Sequence, residues 1–194
     1  MTEGQTVHAV QPVARWMPVA ATFVTLMAMT VLAVGWSWLL LGLAAVALVT
    51  WPLVVADTTE HRLPNRIVLP CYPVAIISVG LHTVVTGEST VVPIIAGAGA
   101  VVFFGLMHVL GGMGMGDVKL VGILGLLLGS FGLTPVIVGC AAAFLFGAIA
   151  GAWAMATQHR AATHRIPFGP FLLAGFWLGI VVPALPALPA GWGP

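Results

Sequence analysis

Apolar runs follow one another along this chain with almost no charge to interrupt them, and this restricts the fold more than any other feature. Crossing the hydrocarbon core of a bilayer takes about 20 residues of helix, because no water is there to satisfy a free backbone N–H or C=O. Seven runs approach that length: Met17 to Val34, Trp36 to Ala56, Val68 to Val85, Val91 to Leu110, Val118 to Gly132, Pro135 to Thr157, and Phe168 to Leu188. The fifth is short and glycine-bearing, and the first two are parted by little more than Gly35. The expectation is an all-α, polytopic bundle of seven membrane-spanning helices, or six if the first two form a single bent segment. Only 6% of the 194 residues are charged, against about 25% in a soluble domain.

The few charges orient the bundle. If the seven spans alternate, Arg15, Arg62, Arg66, Lys119, Arg160 and Arg165 all fall on one side, and Glu88 is the only formal charge on the other. The positive-inside rule makes that side the cytoplasm, with the N-terminus inside. Three polar connections, residues 57–67, 111–119 and 158–167, lie on the same side, so chemistry is expected at that boundary. No repeat or linker divides residues 1–194, which read as one domain with frayed ends at 1–14 and 189–194. The segment before Trp16 lacks the basic start and small-residue cleavage site of a secretory signal, so the first run should remain as a span.

Composition also removes several functions. A net charge of +1 gives no basic field for nucleic acid. Cys71 and Cys140 lie in separate apolar runs, with no CxxC and no Cys/His cluster anywhere, so they read as small apolar residues. No cofactor and no metal is expected.

Against this background Asp117 and Lys119 need a reason. They follow Gly111, Gly112, Gly114 and Gly116 in Gly-Gly-Met-Gly-Met-Gly-Asp-Val-Lys-Leu. A charge at membrane depth costs roughly 2.5–3.5 kcal/mol on insertion scales, so one kept there is a functional-site candidate. The glycines leave room for another backbone to come close. The plain alternative is that Asp117 caps a helix starting at Val118. A second polar stretch, Asp57-Thr-Thr-Glu-His-Arg-Leu-Pro-Asn65, begins where the second run ends. Here the plain reading is a capping box, Asp57 with Glu60, opening a short helix before Pro64, with Asn65 as N-cap of the third span.

Two acids at similar depth on one face could meet, and peptide hydrolysis by an aspartyl mechanism needs that pairing. Neighbouring carboxylates do not both ionise easily, so one keeps a proton while the other is charged. The charged member takes a proton from the attacking water, and the protonated one polarises the carbonyl and helps release the amine. The pair then titrates as a unit.

Asp57, Pro64-Asn65, and Gly114-Met-Gly116-Asp117-Val-Lys119-Leu120 together resemble the type IV prepilin peptidases, a group of GxGD intramembrane aspartyl proteases. Arg165-Ile-Pro167-Phe168-Gly169-Pro170-Phe171 is similar to the segment opening their last helix, and the three motifs keep the family's order over residues 57–171. The resemblance implies that Asp57 and Asp117 form the catalytic dyad and that Gly114 and Gly116 shape the loop presenting Asp117. Lys119 would act electrostatically or as a headgroup anchor, and Pro167, Phe168, Gly169 and Pro170 would be structural or substrate-facing. It further implies an enzyme of the prokaryotic cytoplasmic membrane that removes the short charged leader of prepilins at the cytoplasmic face, commonly after a glycine and before a hydrophobic helix. The partners would be a pilin precursor, the bilayer and the pilus assembly machinery. Longer members carry a cysteine-containing cytoplasmic module linked to N-methylation, whereas this compact layout is more similar to peptidase-only members serving tight-adherence, Flp-type pili. Methyltransferase activity is not expected.

Other polar residues take plainer readings. His82 and His108, inside apolar runs, are expected to be hydrogen-bonded packing residues, and His61, His159 and His164 to be solvated. Trp16, Trp36, Trp38, Trp51 and Trp192 suit an interfacial belt. Pro70, Pro73, Pro93, Pro170 and Pro183 lie within runs, and Pro73 should kink its helix unless that helix starts later. Two rival functions remain open: a small proton- or cation-coupled transporter using the two acids, and a non-catalytic assembly subunit.

Overall fold

In the computed structural model the described residues are 7–111, 113–158 and 167–184. They form eight helical segments: α1 Val7–Val34, α2 Leu39–Glu60, α3 Asn65–Val68, α4 Cys71–Thr86, α5 Val91–Val109, α6 Met115–Gly129, α7 Leu133–Gln158 and α8 Gly169–Ala184. The single turn α3 leads into α4, so the seven expected spans appear as seven helices. Five stretches, in α1, α2, α3–α4, α5 and α7, are long and apolar enough to cross a bilayer by themselves. Of the expected frayed ends, 1–6 and 189–194 lie outside the described residues, as do Gly112, His159, Arg160, His164, Arg165 and Trp192, whereas 7–14 belong to α1.

The six-helix alternative is not what forms. Gly35 adopts φ +75°, a left-handed conformation that a glycine reaches without the clash of a Cβ, and its N–H closes α1 on Val31 O at 2.9 Å. The chain then turns through Trp36 to Trp38 and α2 packs back on α1. Pro73 does not kink a helix either, because α4 begins at Cys71 and places it in the first turn, where its missing N–H would be unpaired anyway. Pro52 lies inside α2.

Short α6 is the axis of the bundle. Its 15 residues span only about 22 Å, less than the hydrocarbon thickness. Eleven of them, from Asp117 to Gly129, are buried. Helices α2, α4, α5, α7 and α8 all contact it. Large apolar side chains point outward instead, as with Val84 at 83% exposure, Val109 at 81% and Trp153 at 70%, the surface a lipid solvent requires.

Since lipid is as apolar as leucine, the helices associate through close packing and buried polar links. A Cβ on Gly175 of α8 would run into Gly139 O of α7 and lie 2.8 Å from Ala143 N; one on Gly125 of α6 would lie 2.9 Å from Ala96 O of α5. The buried Ser78 hydroxyl donates to Trp38 O at 2.9 Å and accepts the Gly42 N–H at 3.1 Å, tying α4 to the start of α2. Trp177 Nε1 donates to Thr50 Oγ1 at 3.3 Å, tying α8 to α2.

These contacts sort the connections between two ends. The turns at 35–38, 86–89 and 130–132 line one cavity at one end, with Glu88 among them. The turns at 61–65 and 113–114 line a second cavity at the other end, and the start of α8 joins them there. At the first end His82 bridges Ser37 Oγ and Glu88 Oε2, both at 3.2 Å, so it is hydrogen-bonded as expected.

Candidate active site: a carboxylate cleft

Asp57 belongs to the last turn of α2. The expected capping box at Asp57 and Glu60 is therefore not formed: α2 runs unbroken through both residues and stops where His61 turns left-handed, at φ 52°. Asp57 faces inward against the start of α8, while Thr58, Thr59 and Glu60, which complete that turn, are exposed. At 5% exposure Asp57 is buried, and its Oδ2 accepts the Gly169 N–H at 2.8 Å. That N–H is one of the unpaired donors at the head of α8, where the positive end of the helix dipole favours a carboxylate. Gly169 has to be a glycine for this approach, since a Cβ there would sit 2.7 Å from Asp57 Oδ2.

Asp117 does not cap a helix beginning at Val118. Helix α6 starts earlier, at Met115, with Gly114 extended before it, and Asp117 is the third helical residue. From there its Oδ2 accepts the Gly114 N–H at 3.3 Å, the half of a capping box that a side chain at this position supplies. Its Oδ1 is buried and finds no hydrogen-bond partner among the described residues. Such an atom is costly unless something polar meets it during function. Gly116 abuts Leu63 so closely that a Cβ would lie 2.8 Å from Leu63 Cβ, and this contact draws the head of α6 against the loop after α2.

The two acids thus line one cleft of about 440 Å³. Gly114, Gly116, Asn65 and Lys119 line it too. Lys119 Nζ donates to Asn65 Oδ1 at 3.1 Å, and its carbonyl accepts the Tyr72 hydroxyl at 2.7 Å, so α6 is pinned to α3 and α4 beside the acids. Asn65 is the first residue of α3, not its cap; Pro64 occupies that position.

Pro64, Pro167, Phe168 and Pro170 stand outside the lining of the cleft. Phe168 wedges among Phe104, Phe144 and Phe171, with ring centroids 5.5–6.5 Å apart, and its carbonyl receives the Phe171 and Leu172 N–H groups at 3.1 Å. The wedge seats the head of α8 on α5 and α7, which aims the Gly169 N–H at Asp57. Pro170 fills the second helical position, where no N–H is missed.

Six residues lining the cleft were not among the expected site residues: His61, Arg62, Leu63, His108, Met113 and Met115. His108 Nδ1 lies 2.8 Å from Met113 O; because a carbonyl only accepts, Nδ1 carries the proton and the ring staples the loop that leads to Gly114. Its hydrogen bond was expected, its place in the cleft was not. No pattern marks these residues, because their roles arise from contacts across helices. Among the described residues no group of three or more His, Cys, Asp or Glu is arranged to hold a metal ion.

A polytopic helical membrane protein whose buried carboxylates converge in one polar cleft is the class that the fold and the site define. The type IV leader peptidase family matches residues 45–154, more than half of the chain, with both acids inside the match and α8 beyond it. The chain belongs to that family, and it is a leader-peptidase-like protease of the membrane. No curated protein and no solved structure gives a significant match.

Proposed function

We propose that this protein is an aspartyl endopeptidase that removes the leader from type IV prepilin-like precursors, of the Flp or tight-adherence kind, at the cytoplasmic face of the membrane. The observation that carries the reading is the shared cleft of Asp57 and Asp117, each with one oxygen tied to a backbone N–H. The whole of residues 1–194 serves as one membrane domain in this reading. Arg62, Arg66 and Lys119 lie at the cleft's end of the bundle and Glu88 at the other, a distribution that supports a cytoplasmic cleft.

Catalysis follows from the hydrogen bonds. Asp57, holding the shorter bond from the Gly169 N–H, suits the ionised member of the pair. Asp117 Oδ1, which has no partner among the described residues, suits the shared proton and would face the carbonyl of the bond to be cut. Water enters between them, gives its proton to Asp57 and attacks, while Asp117 donates to the carbonyl oxygen; proton return to the amine completes cleavage. The Gly169 and Gly114 N–H groups hold both carboxyls still, so little reorganisation is needed as charge develops. Lys119, held by Asn65, contributes positive charge at the rim.

The test is co-expression with a Flp-type precursor and a comparison of its size on gels. Asp57→Asn and Asp117→Asn should each leave the precursor uncut while the protein still accumulates in the membrane. Full processing by either variant would reject the dyad. Proton or cation flux in vesicles without cleavage would favour the transport reading instead.

A further inference from the structure

Helices α4 and α5 stand apart on the outside of the bundle, and α6 forms the floor of the groove between them, a cavity of about 650 Å³. The groove opens to the lipid side: Ile76 on one wall and Ile94 on the other are 57% and 58% exposed. Its lining is apolar, with Tyr72 near one mouth and Thr90 near the other as its main polar residues. Small residues recur on both walls, at Gly80 and Ala98, whereas Gly122 on the floor is covered by Tyr72 and Val101. Where small residues line a lipid-facing groove, the backbone of another helix can approach closely; an acyl chain gains less from that shape.

Position adds a second argument. Tyr72 lines the groove and Lys119 lines the carboxylate cleft, and the two are joined by the 2.7 Å bond from the Tyr72 hydroxyl to Lys119 O. Groove and cleft are therefore adjoining compartments along α6, separated by one pair of residues. Asp117 sits at the head of that helix, and Gly122 and Leu126, which floor the groove, follow it by about one and a half and two and a half turns. A chain whose scissile bond rests between the acids and whose next segment is apolar would cross the Tyr72–Lys119 seam to reach this groove.

We propose that the α4–α5 groove docks the apolar membrane helix that follows the cleaved bond of the substrate, so that selection for membrane-anchored precursors lies in this wall. The proposal rests on the endopeptidase reading above. Filling the groove then weakens binding without touching the acids.

Gly80 offers a clean place to do so, since a Cβ there meets nothing within 4 Å, and Ala98 is exposed. Gly99, equally open but outside the lining, is the matched control. The experiment measures cleavage of a Flp-type precursor in proteoliposomes by Gly80→Leu, Ala98→Leu and Gly99→Leu. It is paired with a photo-crosslinker placed at Ile94 or Gly99 in the Asp117→Asn background. Gly80→Leu and Ala98→Leu should raise KM about tenfold with kcat unchanged, the pattern of lost uniform binding, whereas Gly99→Leu should match the wild type. The crosslinker at Ile94, and not at Gly99, should capture the precursor's apolar segment. Wild-type KM in both groove variants, an equal effect of Gly99→Leu, or capture of a second copy or of lipid in place of precursor would each overturn the proposal. Capture of the precursor with no cleavage by the wild type would reject the endopeptidase reading and leave the groove assignment standing.

Discussion

Gly169→Ala separates the cost to the site from the cost to the fold. The added Cβ would lie 2.7 Å from Asp57 Oδ2 and 3.2 Å from its Cγ, while ordinary contact starts near 3.4 Å. The carboxyl must withdraw by about 0.7 Å, and the 2.8 Å bond from the Gly169 N–H then lengthens beyond the range of a good hydrogen bond. Because the atom that yields is the end of a side chain, α8 itself should remain seated by Phe168 and by the Trp177–Thr50 bond. A hydrogen bond to a charged group is worth about 1.5–3 kcal/mol, so if it is fully expressed in the transition state the rate falls by about 10- to 150-fold. The assay is single-turnover cleavage of a Flp-type precursor by the purified variant, with thermal unfolding in detergent measured alongside. Gly99→Ala, whose Cβ meets nothing within 4 Å, is the control. A Gly169→Ala protein that cuts at the wild-type rate would refute the assignment of Asp57 as a held catalytic carboxylate. So would one whose loss of activity only tracks a loss of stability.

Two other outcomes follow from the same geometry. Gly175→Leu forces a side chain into Gly139 O and Ala143 across the α7–α8 contact, and overpacking of that kind costs about 1–3 kcal/mol, so its unfolding midpoint should drop below that of Gly99→Leu. The rate should show a bell-shaped dependence on pH: below the lower apparent pKa both acids hold protons and no base remains, and above the upper one both are ionised and no acid remains. A single rising limb, or loss of activity on adding a chelator, would point away from a carboxylate pair.

Much of this molecule can be read in one dimension. The seven apolar runs became seven helices because a membrane allows few other solutions, and their bounds moved by only a few residues at most ends, α1 excepted. Asp57 and Asp117 could be picked out because an acid beside an apolar run stands against its surroundings, and their common side followed from counting spans. Local backbone shape was harder. The capping box at Asp57 and Glu60 does not form, and Asp117 caps α6 from its third position rather than from just before Val118, since where each helix stops or starts depends on contacts made across helices.

The neighbours of each helix were decided by tertiary structure alone. In water an amphipathic stripe tells which face is buried, but helices that are apolar all round carry no such stripe. Nothing in the pattern of α6 announces that it is the central helix, and nothing about His108 or Leu63 announces that they border the acids. Those facts arise where glycines let backbones touch and where a lone N–H, that of Gly169, meets a carboxylate 112 residues away. The sequence sets what can lie in the membrane and at what depth; close packing sets which groups meet there.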